Sequence, residues 1–168
     1  MQTEPFPNPY RAGAGLPPPH LAGREKQTHI FSTLLQQEKV SRNLILTGLR
    51  GTGKTVLLDS WKPVAISNRW IWAGADLSES ASVSEATMAI RILTDLSIVT
   101  AQLLKGKKEK VGFTSEAEPT SLDYSTLLDY YGKQPGLVSD KLRNTLEFVW
   151  AHIKNAPNIR GIVFAYDE

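Results

Sequence analysis

Gly48-Leu49-Arg50-Gly51-Thr52-Gly53-Lys54-Thr55 is the stretch on which the reading of this chain turns. Its spacing, G-x-x-x-x-G-K-[ST], carries a mechanism. Glycines let successive backbone N–H groups turn inward as an anion-binding concavity, where a Cβ would clash. A helix opening at Lys54 aims further unpaired N–H groups, and about half a positive charge, at the same point. Lys54 is then placed to reach the outer phosphates of a nucleoside triphosphate, and the Thr55 hydroxyl to ligate Mg2+. Leu49, Arg50, Thr52 and Val56 complete the expected contact surface, with Arg50 and Thr52 at variable positions of the motif.

Outward from the loop, the pattern alternates strands and helices. Upstream, Arg42-Asn43-Leu44-Ile45-Leu46-Thr47 is a short apolar run ending at a glycine, which predicts a strand buried on both faces of a parallel sheet. Further upstream, Glu25 to about Gln37 reads as a helix with Ile30, Phe31, Leu34 and Leu35 on one side. Downstream, a helix from Lys54 to about Ser60 is limited or kinked by Pro63. Arg69-Trp70-Ile71-Trp72-Ala73 predicts a second strand, with Trp70 and Trp72 sharing a face and packing in the core. Ser82-Val83-Ser84-Glu85 matches a capping box. It opens a helix to about Leu104, with Ile92, Leu96, Val99 and Leu103 as its inner stripe and Ala89 and Leu93 widening it. Residues 105–136 read as an irregular insertion with one short helix at 121–131. A last helix runs from Val138 to Lys154, and Arg160–Tyr166 is a third strand. This alternation predicts an α/β fold with a parallel sheet.

That third strand delivers Asp167 and Glu168 at its C-terminal tip, the edge at which open α/β sheets bind ligands. Asp167 is the candidate Mg2+ ligand. Glu168 is the candidate general base, polarising an attacking water.

Composition bounds the rest. The 168 residues suit about one domain, and 41% hydrophobic with 21% charged residues allows a sizeable core. A formal charge of +2 does not by itself point to nucleic acid. The absence of cysteine excludes disulfides, thiol catalysis and cysteine-based zinc sites. His20, His29 and His152 are scattered, without metal-ligand spacing, and read as structural or surface residues. No apolar run approaches the ~20 residues of a membrane span, and the first 20 residues lack the apolar core of a secretory signal. A cytoplasmic protein without a membrane partner is expected. Six of the ten prolines precede residue 20, so residues 1–20 are expected to form an extended arm ahead of a domain over 21–168. The run Lys105, Lys107, Lys108 and Lys110 reads as a solvated loop and is the one hint of DNA as a partner. Asp76, Glu79 and Glu85 read as cap and turn residues. Adenine is favoured over guanine because no Asn-Lys-x-Asp occurs, and no Leu-Ser-Gly-Gly-Gln of the transporter type occurs either.

The glycine loop, the Asp167-Glu168 strand and the upstream Leu21-Ala22-Gly23-Arg24-Glu25 together resemble AAA-type P-loop ATPases, of the initiator-like and STAND-type clades whose domain opens with an L-x-G-R-E box. The resemblance covers about Leu21 to Glu168. It implies a three-layer P-loop sandwich around a parallel sheet, with ATP and Mg2+ as cofactors, Lys54 and Glu168 as catalytic residues, and Gly23 and Arg24 beside the adenine. It also implies a later strand between the loop-bearing strand and the acidic one. On that reading the chain is an N-terminal fragment ending at the acidic strand. Sensor residues, lid and self-associating surfaces would then lie beyond Glu168. The activity implied is ATP hydrolysis driving a conformational switch. The alternatives are a DNA-associated initiator or repair ATPase, and a nucleotide-binding scaffold with negligible turnover.

Overall fold

The computed structural model describes residues 22–74, 76–77, 84–105, 122–156 and 158–167. The expected arm over residues 1–20 lies outside them, as do Leu21, the lysines 107, 108 and 110, and Glu168. The chain divides into two compact units, with the boundary between Asn68 and Arg69.

The first unit contains two helices, α1 (Glu25–Gln36) and α2 (Lys54–Ser67). They pack through an aromatic stack in which the Phe31 and Trp61 rings lie 4.6 Å apart and nearly parallel, at 6°. The Trp61 indole N–H donates to the Thr28 hydroxyl at 3.2 Å, so the ring is apolar in its body and satisfied at its polar edge. Phe31, Leu35, Leu57, Trp61 and Ala65 are all buried. The helix α2 does not stop near Ser60 but continues through Pro63. Proline removes the bond to the carbonyl four residues back, that of Asp59. Both residues are exposed, so the carbonyl is not stranded in the core, while Trp61 and Ala65 bury the other face.

The strand expected at 42–47 is not formed. Residues 40–49 have neither helix nor ladder partner among the described residues, and Ile45 is 82% exposed. β-prone composition sets a tendency only. A strand exists through the neighbour that takes its N–H and C=O groups.

The second unit pairs β1 (Trp70–Ala73) with β2 (Gly161–Phe164) in parallel, Trp70 beside Gly161 and Ala73 beside Phe164. Among the described residues three helices lie between the two strands in sequence: α3 (Glu85–Lys105), α4 (Tyr124–Lys133) and α5 (Val138–Ile153). Ile71 of β1 enters the core, with Leu96 of α3, Leu122, Leu127 of α4, and Val149 and Ile153 of α5. Burying a leucine completely is worth about 1.5–3 kcal/mol, so this cluster is the main support of the unit. Trp70 and Trp72 are half-buried, not in that core, because the pleat gives the core face to Ile71 and Ala73. Gly161 accommodates the Trp70 ring, since a Cβ there would come within 2.2 Å of it.

The part of 105–136 that is described is regular. Leu122 and Leu127 are fully buried, and the Thr100 hydroxyl of α3 donates to the Leu122 carbonyl at 2.7 Å. Helix starts follow local chemistry. Asp123 accepts the Thr126 N–H at 2.9 Å. Ser84 accepts the Thr87 N–H and returns its own N–H to the Thr87 hydroxyl, so the cap of α3 is Ser84, while Ser82 lies outside the described residues. On α3 the buried face runs through Ala89, Leu93, Leu96 and Thr100, with Ile92 and Val99 at its margin. The His152 Nδ1–H donates to the Phe148 carbonyl, 2.7 Å away, and the imidazole packs on the Phe148 ring, a structural role. Among the described residues no helix is long and apolar enough to cross a membrane.

Candidate nucleotide site

The glycine loop has the backbone its sequence requires. Gly51 (φ +82°) and Gly53 (φ +78°) occupy the left-handed region that side chains disfavour, and nothing fills the space a Cβ would take at either. Gly53 is the residue at which α2 begins. The turn is closed by Thr52, whose N–H and hydroxyl both donate to the Leu49 carbonyl, at 3.3 and 2.8 Å. Among the described residues, the N–H groups of Arg50, Gly51 and Gly53 meet no acceptor in the chain; Arg50 and Gly51 are exposed and Gly53 is half-buried. A row of exposed donors at a helix N-terminus is the donor set that phosphate oxygens fit.

Lys54 reaches back across the loop. Its ammonium donates to the carbonyls of Gly48 and Leu49, both at 3.1 Å, which ties it to the loop. Thr55 and Val56 follow on the first turn of α2, with Leu49 and Arg50 exposed beside it.

The box residues sit against this loop. Gly23 (φ +74°) turns the chain into α1, and the Arg24 guanidinium donates to the Thr52 carbonyl. Because the α1–α2 contact is fixed by Phe31 and Trp61, Arg24 at the foot of α1 is delivered to the loop that opens α2. Lys54, Thr55, the loop glycines, Gly23 and Arg24 therefore belong to one unit.

Asp167 belongs to the other. Beyond β2, Ala165 donates its N–H to the Ala73 carbonyl at 2.9 Å, and Asp167 makes a parallel bridge with Asp76, the Leu77 N–H donating to the Asp167 carbonyl at 2.8 Å. The register of β1 and β2 thus continues past a gap at Gly74 and sets two carboxylate-bearing residues side by side at the C-terminal ends of the strands. Asp76 was expected to serve as a turn residue, and its pairing with Asp167 is a feature that short-range sequence reading misses. Gly74 makes this possible, since a Cβ there would lie 1.8 Å from the Ala165 carbonyl oxygen. Magnesium keeps several waters and takes one or two carboxylates, so Asp167 and the Thr55 hydroxyl are residues of the right chemistry for it. Among the described residues no cluster of three or more histidine and acidic side chains occurs.

Behind the acidic tip lies a second polar group that sequence reading missed. On α3, Asp95 is 8% exposed and pairs with Arg91 at 2.9 Å. The Tyr166 hydroxyl, one residue before Asp167, is buried and has no hydrogen-bond partner among the described residues. Burial first, and then the neighbouring Asp95 carboxylate, push the Tyr166 hydroxyl well above its ordinary value, while Arg91 pulls the other way. The available signal was Asp95 itself, a carboxylate set between Leu93 and Leu96 on the apolar stripe of α3.

Comparison with protein-family models, with curated proteins and with solved structures gives no significant match for this chain.

Proposed function

We propose that this chain is an ATP-binding P-loop module of the AAA type, binding Mg·ATP and hydrolysing it to drive a conformational switch. The observation that carries the proposal is the 48–55 loop. Two left-handed glycines, unpaired N–H donors ahead of α2 and the Lys54 ammonium tied to the loop carbonyls are features a triphosphate requires. The parallel β1–β2 pair with helices in its crossover is compatible with a three-layer P-loop sandwich.

Within this reading the loop backbone and Lys54 hold the β- and γ-phosphates, and Thr55 and Asp167 take the magnesium. Magnesium, when bound, neutralises phosphate charge during transfer to water. Glu168 is the general base. Arg24 stiffens the loop through Thr52, and with Gly23 lines the nucleotide side of α1. Adenine is the base because the guanine-reading Asn-Lys-x-Asp does not occur in the sequence. A cytoplasmic location goes with this reading.

Thermal unfolding with ligand tests it. Mg·ATP at 100 times its dissociation constant should stabilise the chain by about 2.7 kcal/mol, a rise of roughly 5–11 °C. No shift overturns the proposal, and an equal shift with Mg·GTP overturns the adenine assignment. Glu168→Gln should retain binding and abolish turnover in a phosphate-release assay.

A further inference from the structure

The first unit holds one polar atom that its own fold does not use. The Gln27 side chain is half-buried, and its oxygen Oε1 is buried with no hydrogen-bond partner among the described residues. Such an acceptor subtracts from folding free energy, whereas methionine would fill the same space without that cost. A local use was open to it. A glutamine at the third position of a helix commonly reaches back to the N–H of the cap residue. Gln27 holds that position in α1, behind the cap residue Arg24, and its oxygen makes no such bond.

Its place on α1 says which way it faces. Arg24, Gln27, Thr28 and Phe31 recur at the spacing of one helix face. Arg24 donates to the Thr52 carbonyl of the glycine loop, Thr28 accepts from the Trp61 indole at 3.2 Å, and Phe31 stacks on Trp61. Lys26, His29 and Ile30, on the other sides, are exposed. Gln27 therefore belongs to the side of α1 turned to α2, one turn along from the residue that touches the loop. A triphosphate offers acceptors only, so this oxygen has no use for it. The adenine edge offers a donor, its exocyclic amino group, beside the ring acceptor N7, and a glutamine amide matches that pair. Guanine presents an acceptor where adenine presents the amino group.

We infer that Gln27 is a specificity-determining residue: its Oε1 accepts a hydrogen bond from the adenine amino group of ATP held in the 48–55 loop. The inference deepens the proposed function and rests on ATP occupying that loop. It concerns residues of the first unit alone.

The test is calorimetric titration of the full chain, at fixed excess Mg2+, with ATP, with purine riboside triphosphate, which lacks the amino group, and with 2′-deoxy- and 3′-deoxy-ATP. Wild type should bind ATP about tenfold more tightly than the purine nucleotide, the worth of one hydrogen bond. In Gln27→Met the ATP affinity should fall to that of the purine nucleotide, whose own affinity stays unchanged. The melting temperature of this variant without nucleotide should be equal or higher. Gln27→Glu keeps accepting oxygens, so the ratio between the two nucleotides should persist even where the added charge weakens both. A merely structural glutamine predicts a lower melting temperature and equal losses for ATP and the purine nucleotide, and that pattern overturns the inference. Wild type that binds the two equally overturns it as well, while the proposed function stands. So does a Gln27→Met loss that appears against the deoxy nucleotides instead, since the oxygen would then serve the ribose. A chain that binds none of these nucleotides overturns the proposed function, and this inference with it.

Discussion

Arg24 donates to the carbonyl of Thr52, so the residue that precedes α1 braces the loop that opens α2. The bond is exposed and joins positions 28 apart in the chain. Its loss should therefore matter more for ligand than for fold. Arg24→Ala is expected to lower unfolding free energy by about 1 kcal/mol, the ordinary net worth of a hydrogen bond. ATP affinity should fall about fivefold as the loop loosens. Denaturant unfolding and calorimetry on the same sample separate the two.

The brace depends on the stack beneath it. Trp61→Ala removes a ring that is 3% exposed and packed on Phe31, together with its bond to Thr28. A stability loss of about 3–5 kcal/mol is expected in urea unfolding. With α1 no longer seated, Arg24 loses its route to Thr52. In Trp61→Ala the further change Arg24→Ala should then have little effect on ATP affinity, and a full second loss would show that the brace is independent of the stack.

The loop glycines separate conformational cost from ligand cost. Gly53→Ala introduces a Cβ into open space at φ +78°, so its penalty on stability is conformational alone, about 1–2 kcal/mol. The same Cβ obstructs the approach of a phosphate to the backbone, and ATP binding should be lost in a filter-binding assay. Lys54→Ala gives up only two exposed bonds to the Gly48 and Leu49 carbonyls. It should leave the melting temperature nearly unchanged while ATP affinity falls by at least about tenfold.

Gly74→Ala should be among the most damaging single-methyl changes in the second unit. The added carbon would meet the Ala165 carbonyl oxygen at 1.8 Å and its carbon at 2.7 Å, both backbone atoms that cannot rotate aside. A loss of about 3 kcal/mol or more is expected in chemical denaturation. Gly132→Ala is the control. It lies in α4 with nothing within 4 Å of the new carbon. It should raise stability by about 0.5–1 kcal/mol, because alanine favours the helix.

What was legible in the sequence followed the range of the interaction concerned. The glycine loop and the start of α2 depend on neighbours a few residues away, and the spacing around Lys54 announces both. The helices α1, α3 and α5 were legible from apolar periodicity, and β1 and β2 from short apolar runs bounded by glycine and charge. The segment 42–47 has the same composition as those strands yet forms no ladder, since pairing partners are not encoded in the run itself. Trp70 and Trp72 were assigned to the wrong face because every residue from 70 to 73 is apolar, which leaves the pleat without a polar side to orient it. Pro63 ended the predicted helix on local grounds, and the packing of Trp61 and Ala65 overrode it. Asp76 beside Asp167, and Asp95 beside Tyr166, are meetings across the sheet and across a helix face. Neither pair has a short-range signature.

The parallel register of β1 and β2 also fixes an order of events. A parallel pair admits no hairpin, and every residue of α3, α4 and α5 lies between the two strands. Closing so long a loop costs entropy before any ladder bond forms. Contacts of that sequence separation are the slow ones in folding, whereas the α1–α2 unit is joined by bonds between residues only 28 and 33 positions apart. The helical amides of α1 and α2 should therefore be protected from hydrogen exchange early in refolding, and the Ala165 and Leu77 amides only at the last step. Nascent chains would pass through an interval in which the glycine turn ahead of α2 is formed and the Asp76–Asp167 bridge is not.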